Sequence, residues 1–221
     1  MRRKLPIFLI VALVFAVILI AQSTVRIKAN ELLATERQEV FTFKGNVMIN
    51  KDGDIYVETP LATVTKGATD WQSFITEGET FVIFQTGEAT TLSLDYNLDN
   101  STGLMKDVPV AMIYSKEEGQ KDIYIYKTDV LKFDQKNEYY EGFAKETADA
   151  TPELIFIDYK GDLKVDTLYF EYHGETGMLN LKGNVFVNDE KNRRKIWASE
   201  LLYNTQDDSF KGLNVEIELV F

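Results

Sequence analysis

Lys182-Gly183-Asn184-Val185-Phe186-Val187-Asn188 repeats Lys44-Gly45-Asn46-Val47-Met48-Ile49-Asn50, with five of seven positions identical and Met/Phe and Ile/Val as the changes. In the first copy Phe41, Phe43, Val47 and Ile49 share one parity, and Thr42, Lys44, Asn46 and Asn50 share the other. A period of two marks a half-buried strand, apolar on one face and wet on the other. The same alternation places Leu92, Leu94 and Tyr96 against Thr91, Ser93 and Asp95, and returns in Leu168, Phe170 and Tyr172 and in Leu179, Leu181, Val185 and Val187. Asp52-Gly53, Glu118-Gly119, Lys160-Gly161, Thr176-Gly177 and Asn188-Asp189 supply turns between these runs. The pattern reads as about fourteen to sixteen short strands and hardly any helix.

Two further units repeat. Ala198-Ser199-Glu200-Leu201-Leu202-Tyr203 with Phe210-Lys211-Gly212 aligns on Thr128-Asp129-Val130-Leu131-Lys132-Phe133 with Tyr140-Glu141-Gly142 without gaps. Asp95-Tyr96 and Thr102-Gly103-Leu104-Met105-Lys106 align on Glu171-Tyr172 and Thr176-Gly177-Met178-Leu179. One hairpin unit cannot bury its apolar face alone, so successive units must stack over a continuous core. Gly45, Gly142, Gly183 and Gly212 close strands and are expected to permit bulges or bends that curve the sheet.

The pattern of Gly-Asn-Val, an alternating strand, a polar hairpin, Leu-x-Tyr/Phe and a closing Gly resembles the OstA-like repeat of the lipopolysaccharide-transport proteins LptA and LptC. Leu179 to Gly212 carries it best, with Phe41 to Leu61 and Thr128 to Gly142 beside it; Lys106-Asp107-Val108-Pro109-Val110 resembles the family's Gly-x-Pro hairpins but lacks the Gly. The resemblance implies an all-β, repeat-built twisted β-jelly roll, an open V-shaped sandwich that receives lipid acyl chains and joins neighbours edge to edge. Phe41, Phe43, Val47, Ile49, Leu131, Phe133, Phe170, Leu181, Val185, Val187, Leu201 and Tyr203 are the expected lipid-binding groove. Val215, Ile217, Leu219 and Phe221 alternate with Asn214, Glu216 and Glu218, an uncovered strand expected to be the partner edge.

Charge divides the chain in two. The net −11 of these 221 residues combines five bases and no acid in residues 1–29 with nineteen bases against thirty-five acids in the rest, a balance of −16. Leu5 to Ala21 is 17 residues without a charged or polar side chain, behind Arg2, Arg3 and Lys4. A helix of that length reaches roughly 25 Å, the low end of a membrane span, and the run is longer than a secretory signal core. It is expected to be a retained anchor with a cytoplasmic tip (residues 1–25), followed by a juxtamembrane linker (26–37) and one β-jelly-roll domain (38–221); a cleaved signal peptide is the competing reading. The anchor is like the LptC branch, and the Gly-Asn-Val copies are more like LptA.

Enzyme chemistry finds no constellation. There is no Cys, and His173, the only His, shares the outward parity of Tyr169 and Glu171. A zinc site would need carboxylates alone, and Asp52-Gly53-Asp54 lacks the spaced acids of a calcium loop. Acid pairs such as Asp207-Asp208 and Glu117-Glu118 stand in polar loops, so no metal, cofactor or catalytic residue is expected. An acidic body repels phosphates at long range, which disfavours nucleic acid, and no nucleic-acid partner is expected. Lys191 to Lys195 is the one basic cluster in the acidic body, read as a solvated hairpin loop or as a dock for an anionic headgroup. The expected function is a membrane-anchored periplasmic carrier of a lipopolysaccharide-type glycolipid. It would partner the lipid's acyl chains, other β-jelly-roll modules and an inner-membrane export complex; an envelope scaffold without lipid transfer is the alternative.

Overall fold

The computed structural model describes residues 24–35, 39–67, 71–114, 123–145, 152–159 and 161–219. Residues 5–21 and Phe221 lie outside them, and no helix among the described residues is long and apolar enough to cross a membrane.

Eighteen strands follow one another among the described residues: β1 (Val25–Lys28), β2 (Glu31–Ala34), β3 (Val40–Lys51), β4 (Ile55–Lys66), β5 (Trp71–Glu77), β6 (Thr80–Phe84), β7 (Gly87–Thr91), β8 (Ser93–Asn97) and β9 (Thr102–Ile113) make the first half. β10 (Ile123–Asp134), β11 (Tyr139–Phe143), β12 (Ile155–Tyr159), β13 (Leu163–Thr167), β14 (Tyr169–His173), β15 (Met178–Asp189), β16 (Arg194–Asn204), β17 (Phe210–Leu213) and β18 (Glu216–Leu219) make the second. Within the stretch read as a linker or first strand, β1 and β2 both pair with β3.

All ladders are antiparallel, and their register folds one sheet into two leaves. The six long strands β3, β4, β9, β10, β15 and β16 each run through both. β3 pairs β2 in its first half and β1 in its second, and β16 pairs β18 in its first half and β17 in its second. Short strands fill the gaps in the order leaf A, B, B, A: β5 pairs β8 in leaf A while β6 pairs β7 in leaf B, and β11 pairs β14 while β12 pairs β13. Every crossing between leaves falls on one side, a corner, and the turns on the other side form two rims.

The corner explains the repeated Gly-Asn. Gly45 and Asn46 have φ of 72° and 49°, and Gly183 and Asn184 have 75° and 52°; left-handed backbone favours these two residue types. The ladder slips by one residue there, between Lys44 and Val47 and between Lys182 and Val185, which are β-bulges bending the strand from leaf to leaf. Gly142 has another role: it takes an extended conformation, and a Cβ on it would run into the Phe170 ring of the neighbouring strand.

Apolar residues fill the inner faces row by row. Across leaf B the register aligns Ile27, Ile49, Val57, Val82, Ala89, Ala111, Ile125, Ile157, Val165, Val187, Ile196 and Ile217, one from each strand. The leaves meet face to face: Phe84 of leaf B stacks on Phe133 of leaf A with ring centroids 4.9 Å apart.

Candidate functional site: interior, rim and edges

Ten of the twelve residues expected to form the groove come together in this interior. Val47, Ile49, Val185 and Val187 lie on leaf B, and Leu131, Phe133, Phe170, Leu181, Leu201 and Tyr203 on leaf A, each with 2% or less of its surface exposed. Phe41 and Phe43 are half-buried on the leaf A side of the first hairpin, and Phe41 packs edge-on against Trp71 at 5.1 Å. Side chains from both leaves fill the space between them, so an acyl chain can enter only by displacing aromatic and aliphatic groups there.

Polar residues, not apolar ones, hold the two rims together. At the β3–β4 hairpin tip Asp54 is buried, ion-paired with Lys51 at 2.6 Å, and accepts hydrogen bonds from Tyr96 Oη at 2.7 Å and Gln135 Nε2 at 3.1 Å on the opposite rim. Lys51 also donates to the Leu98 carbonyl, and Tyr140 Oη donates to Thr86 Oγ1 across the same gap. At the other end Arg194 bonds Asp189 through Nε at 2.7 Å and the Asp208 carbonyl through Nη2 at 3.0 Å, while Tyr203 Oη donates to Asp208. Burial raises the phenol pKa of Tyr96, Tyr140 and Tyr203, and Tyr172 is pushed up to about 12. Lys191 beside Asp208 holds that carboxyl below its ordinary value. Periodicity misses this rim, because its members are scattered in sequence and only turn geometry brings them together. The one signal was the Asp-Gly-Asp tip.

The basic cluster is drawn into the rim. Lys191 pairs with Asp208 at 2.6 Å, Arg194 with Asp189 and Lys195 with Glu218 at 3.3 Å, while Arg193 at the hairpin tip is exposed. His173 is exposed beside Glu171, 3.2 Å away, and packs on Tyr139. Among the described residues no three His, Cys, Asp or Glu side chains converge as a metal site would need.

The edges differ from the interior. Among the described residues β18 pairs only β16, and Val215, Ile217 and Leu219 are 38%, 46% and 57% exposed. At the opposite end Leu32 and Leu33 of β2 are each 55% exposed. β17 and β18 occupy the leaf A and leaf B places of β5 and β6, and β1 and β2 those of β7 and β8. Each edge is half of the four-strand spacer that fills the interior.

No family model matches the chain, and no curated protein matches it. Among solved structures it is similar to LptH of Pseudomonas aeruginosa, described as the LptA-homologous periplasmic component of the lipopolysaccharide transport device. The identity is 11% over 90% of this chain and 96% of that one, with a TM-score of 0.24. Apo AztD from Citrobacter koseri is 12% identical over 85% of this chain and 88% of that one, with a TM-score of 0.17. Overlays this loose leave the functional reading to the chain's own residues.

Proposed function

We propose that this chain is a non-enzymatic, membrane-anchored carrier on the periplasmic side of an inner membrane. It would accept the acyl chains of a lipopolysaccharide-type glycolipid from an export complex and pass them to the next β-jelly-roll module through edge-to-edge contact. Residues 5–21 would hold it at the membrane, in the manner of the LptC branch. The observation that supports this reading is the leaf B row from Ile27 to Ile217: twelve strands contribute an apolar inner residue each, and the row emerges at both edges without a polar plug.

The edges are also complementary. Continuing the interior register, an incoming β1 laid on β18 places Val25 beside Leu219 and Ile27 beside Ile217 on the inner face. On the outer face it places Arg26 beside Glu218 and Lys28 beside Glu216. Apolar rows then join inside and opposite charges pair outside, as cross-strand pairing favours. A lipid chain sliding into such a joined interior would gain about 0.8 kcal/mol per buried methylene, enough to offset opening the polar rim.

An envelope scaffold is the second reading, favoured by the fully packed interior. Purifying residues 24–221 without detergent and analysing the extract by mass spectrometry separates the two. A carrier brings acylated glycolipid in near-stoichiometric amount; protein that is bare at every stage of purification from a glycolipid-producing host leaves only the scaffold.

A further inference from the structure

The outer faces of the two leaves differ in kind. On leaf A the outer row running from Ile75 to Lys211 carries Asp95, Lys132, Glu141 and Glu171 along its length. On leaf B the outer row running from Lys28 to Glu216 carries Met48, Phe81, Tyr126, Phe156, Phe186 and Trp197. The next row of leaf B, from Arg26 to Glu218, adds Tyr56, Ile83, Met112 and Tyr124. Met48, Phe81, Ile83 and Trp197 are each more than a third exposed. Ring contacts join neighbouring strands on this face too, Phe186 with Trp197 at 5.2 Å and Tyr126 with Phe156 at 5.8 Å.

An apolar sheet face of this extent marks an interaction surface, and its residue types choose among partners. Trp and Tyr favour the boundary between hydrocarbon and headgroups, where an apolar ring and a polar tip are both satisfied. The acids between them are engaged: Tyr56 donates to Glu58, Tyr114 to Glu88 at 2.7 Å and the Gly161 amide to Asp158 at 2.6 Å, while burial raises the Asp166 carboxyl. With Glu216 and Glu218 these six acids stand against Arg26, Lys28, Lys164 and Lys195, so the two rows hold little of the negative surplus of the body. Chain order then fixes which leaf meets a bilayer. Ala21, which closes the apolar run, stands four positions before Val25, the first residue of β1 at the edge of leaf B, and four extended residues reach at most about 14 Å.

We propose that the outer face of leaf B is a membrane-docking surface, which lies on the zwitterionic headgroups of the bilayer that holds the anchor and sets Phe81, Ile83 and Trp197 at its boundary. This rests on the reading of residues 5–21 as an anchor, and it adds an orientation that a tether alone does not impose. Leaf A, with its charged outer row, then faces water. A second copy docked on the same face would bury Trp197 away from lipid, so contact with lipid is what distinguishes the two.

The two tryptophans of the chain provide the test, since Trp197 stands on the outer face of leaf B and Trp71 of β5 packs against the interior from leaf A. The full chain is reconstituted in phosphatidylcholine vesicles that contain phosphatidylcholine spin-labelled near the headgroup end of an acyl chain. Fluorescence quenching is read for the unaltered chain, Trp71→Phe and Trp197→Phe, with circular dichroism as the check on folding. Stacked sheets lie about 10 Å apart, so Trp197 is expected to be quenched at least about threefold more strongly than Trp71. Should Trp71→Phe unfold, the quenching lost between the unaltered chain and Trp197→Phe gives the same contrast. Phe81→Asp combined with Ile83→Asp should abolish the contrast while the chain stays bound, and Leu202→Asp on the outer face of leaf A should leave it unaltered. Carbonate extraction keeps the two readings apart. A chain released from the vesicles refutes the anchor and the docking with it; a chain retained with Trp197 quenched no more than Trp71 refutes the docking alone. Docking is equally refuted if the paired Asp change spares the contrast or Leu202→Asp removes it.

Discussion

Gly142 shows how little slack individual positions have. Its Cα lies under the Phe170 ring, and Gly103 stands in the same relation to Phe133. Each pairs a glycine with a cross-strand aromatic that covers it. Gly142→Ala forces the ring aside in a filled interior and should cost about 1–3 kcal/mol, read as a lower urea midpoint with unchanged slope. Tyrosines give the pH response. Tyr172 and Tyr139 are both pushed up to about 12 from 10.0, mainly by burial, and Tyr96, Tyr140 and Tyr203 are raised too. Phenols that ionise more readily unfolded than folded contribute stability below pH 10 that is lost as pH climbs through their folded values. Melting temperature should therefore hold up to about pH 10 and fall steeply above it, with the last part of the tyrosinate absorbance appearing together with unfolding. A complete tyrosinate signal reached while the circular dichroism stays native would contradict this.

At the scale of strands, the corners decide what periodicity can read. On β3 the inward residues Phe43, Val47 and Ile49 keep one parity because the bulge residue and the bend compensate. On β4 the inward set passes from Ile55 and Val57 to Ala62 and Val64, and on β16 from Ile196 and Ala198 to Leu201 and Tyr203. A phase slip in mid-strand makes one long strand look like two short ones, so the alternation yielded the class of fold and most inward residues but not that six strands belong to both leaves. The Gly-Asn copies were legible because left-handed backbone restricts residue choice; the rim latches were not, since they depend on contacts between residues far apart in sequence. Asn184 tests the bulge. With φ at 52°, Asn184→Ala should lower stability by about 1 kcal/mol and Asn184→Gly by much less, as thermal melts would register. Equal losses would mean that the Asn side chain, not its backbone, matters.

For the molecule as a whole, charge does two jobs. The acidic surplus keeps a body with exposed apolar edges soluble, and at those edges the acids are placed against bases: Glu216 and Glu218 at one end, Arg26 and Lys28 at the other. Reversing both acids to Lys should abolish association of full-length chains by sedimentation, and mixing that variant with a chain carrying Arg26→Glu and Lys28→Glu should restore it. Association that survives the first change, or is not rescued by the second, would refute the β18-to-β1 register. The stacking has one more consequence, a mechanical one. Interstrand hydrogen bonds lie along the axis from β1 to β18, so tension between two tethered ends passes through every ladder in series, and the weakest junction sets the strength of the whole. In leaf A that junction is β5 with β8, paired at three positions only. A pulled chain should yield there first, leaving the β3–β4, β9–β10 and β15–β16 hairpins, with ten paired positions each, as the last parts to let go.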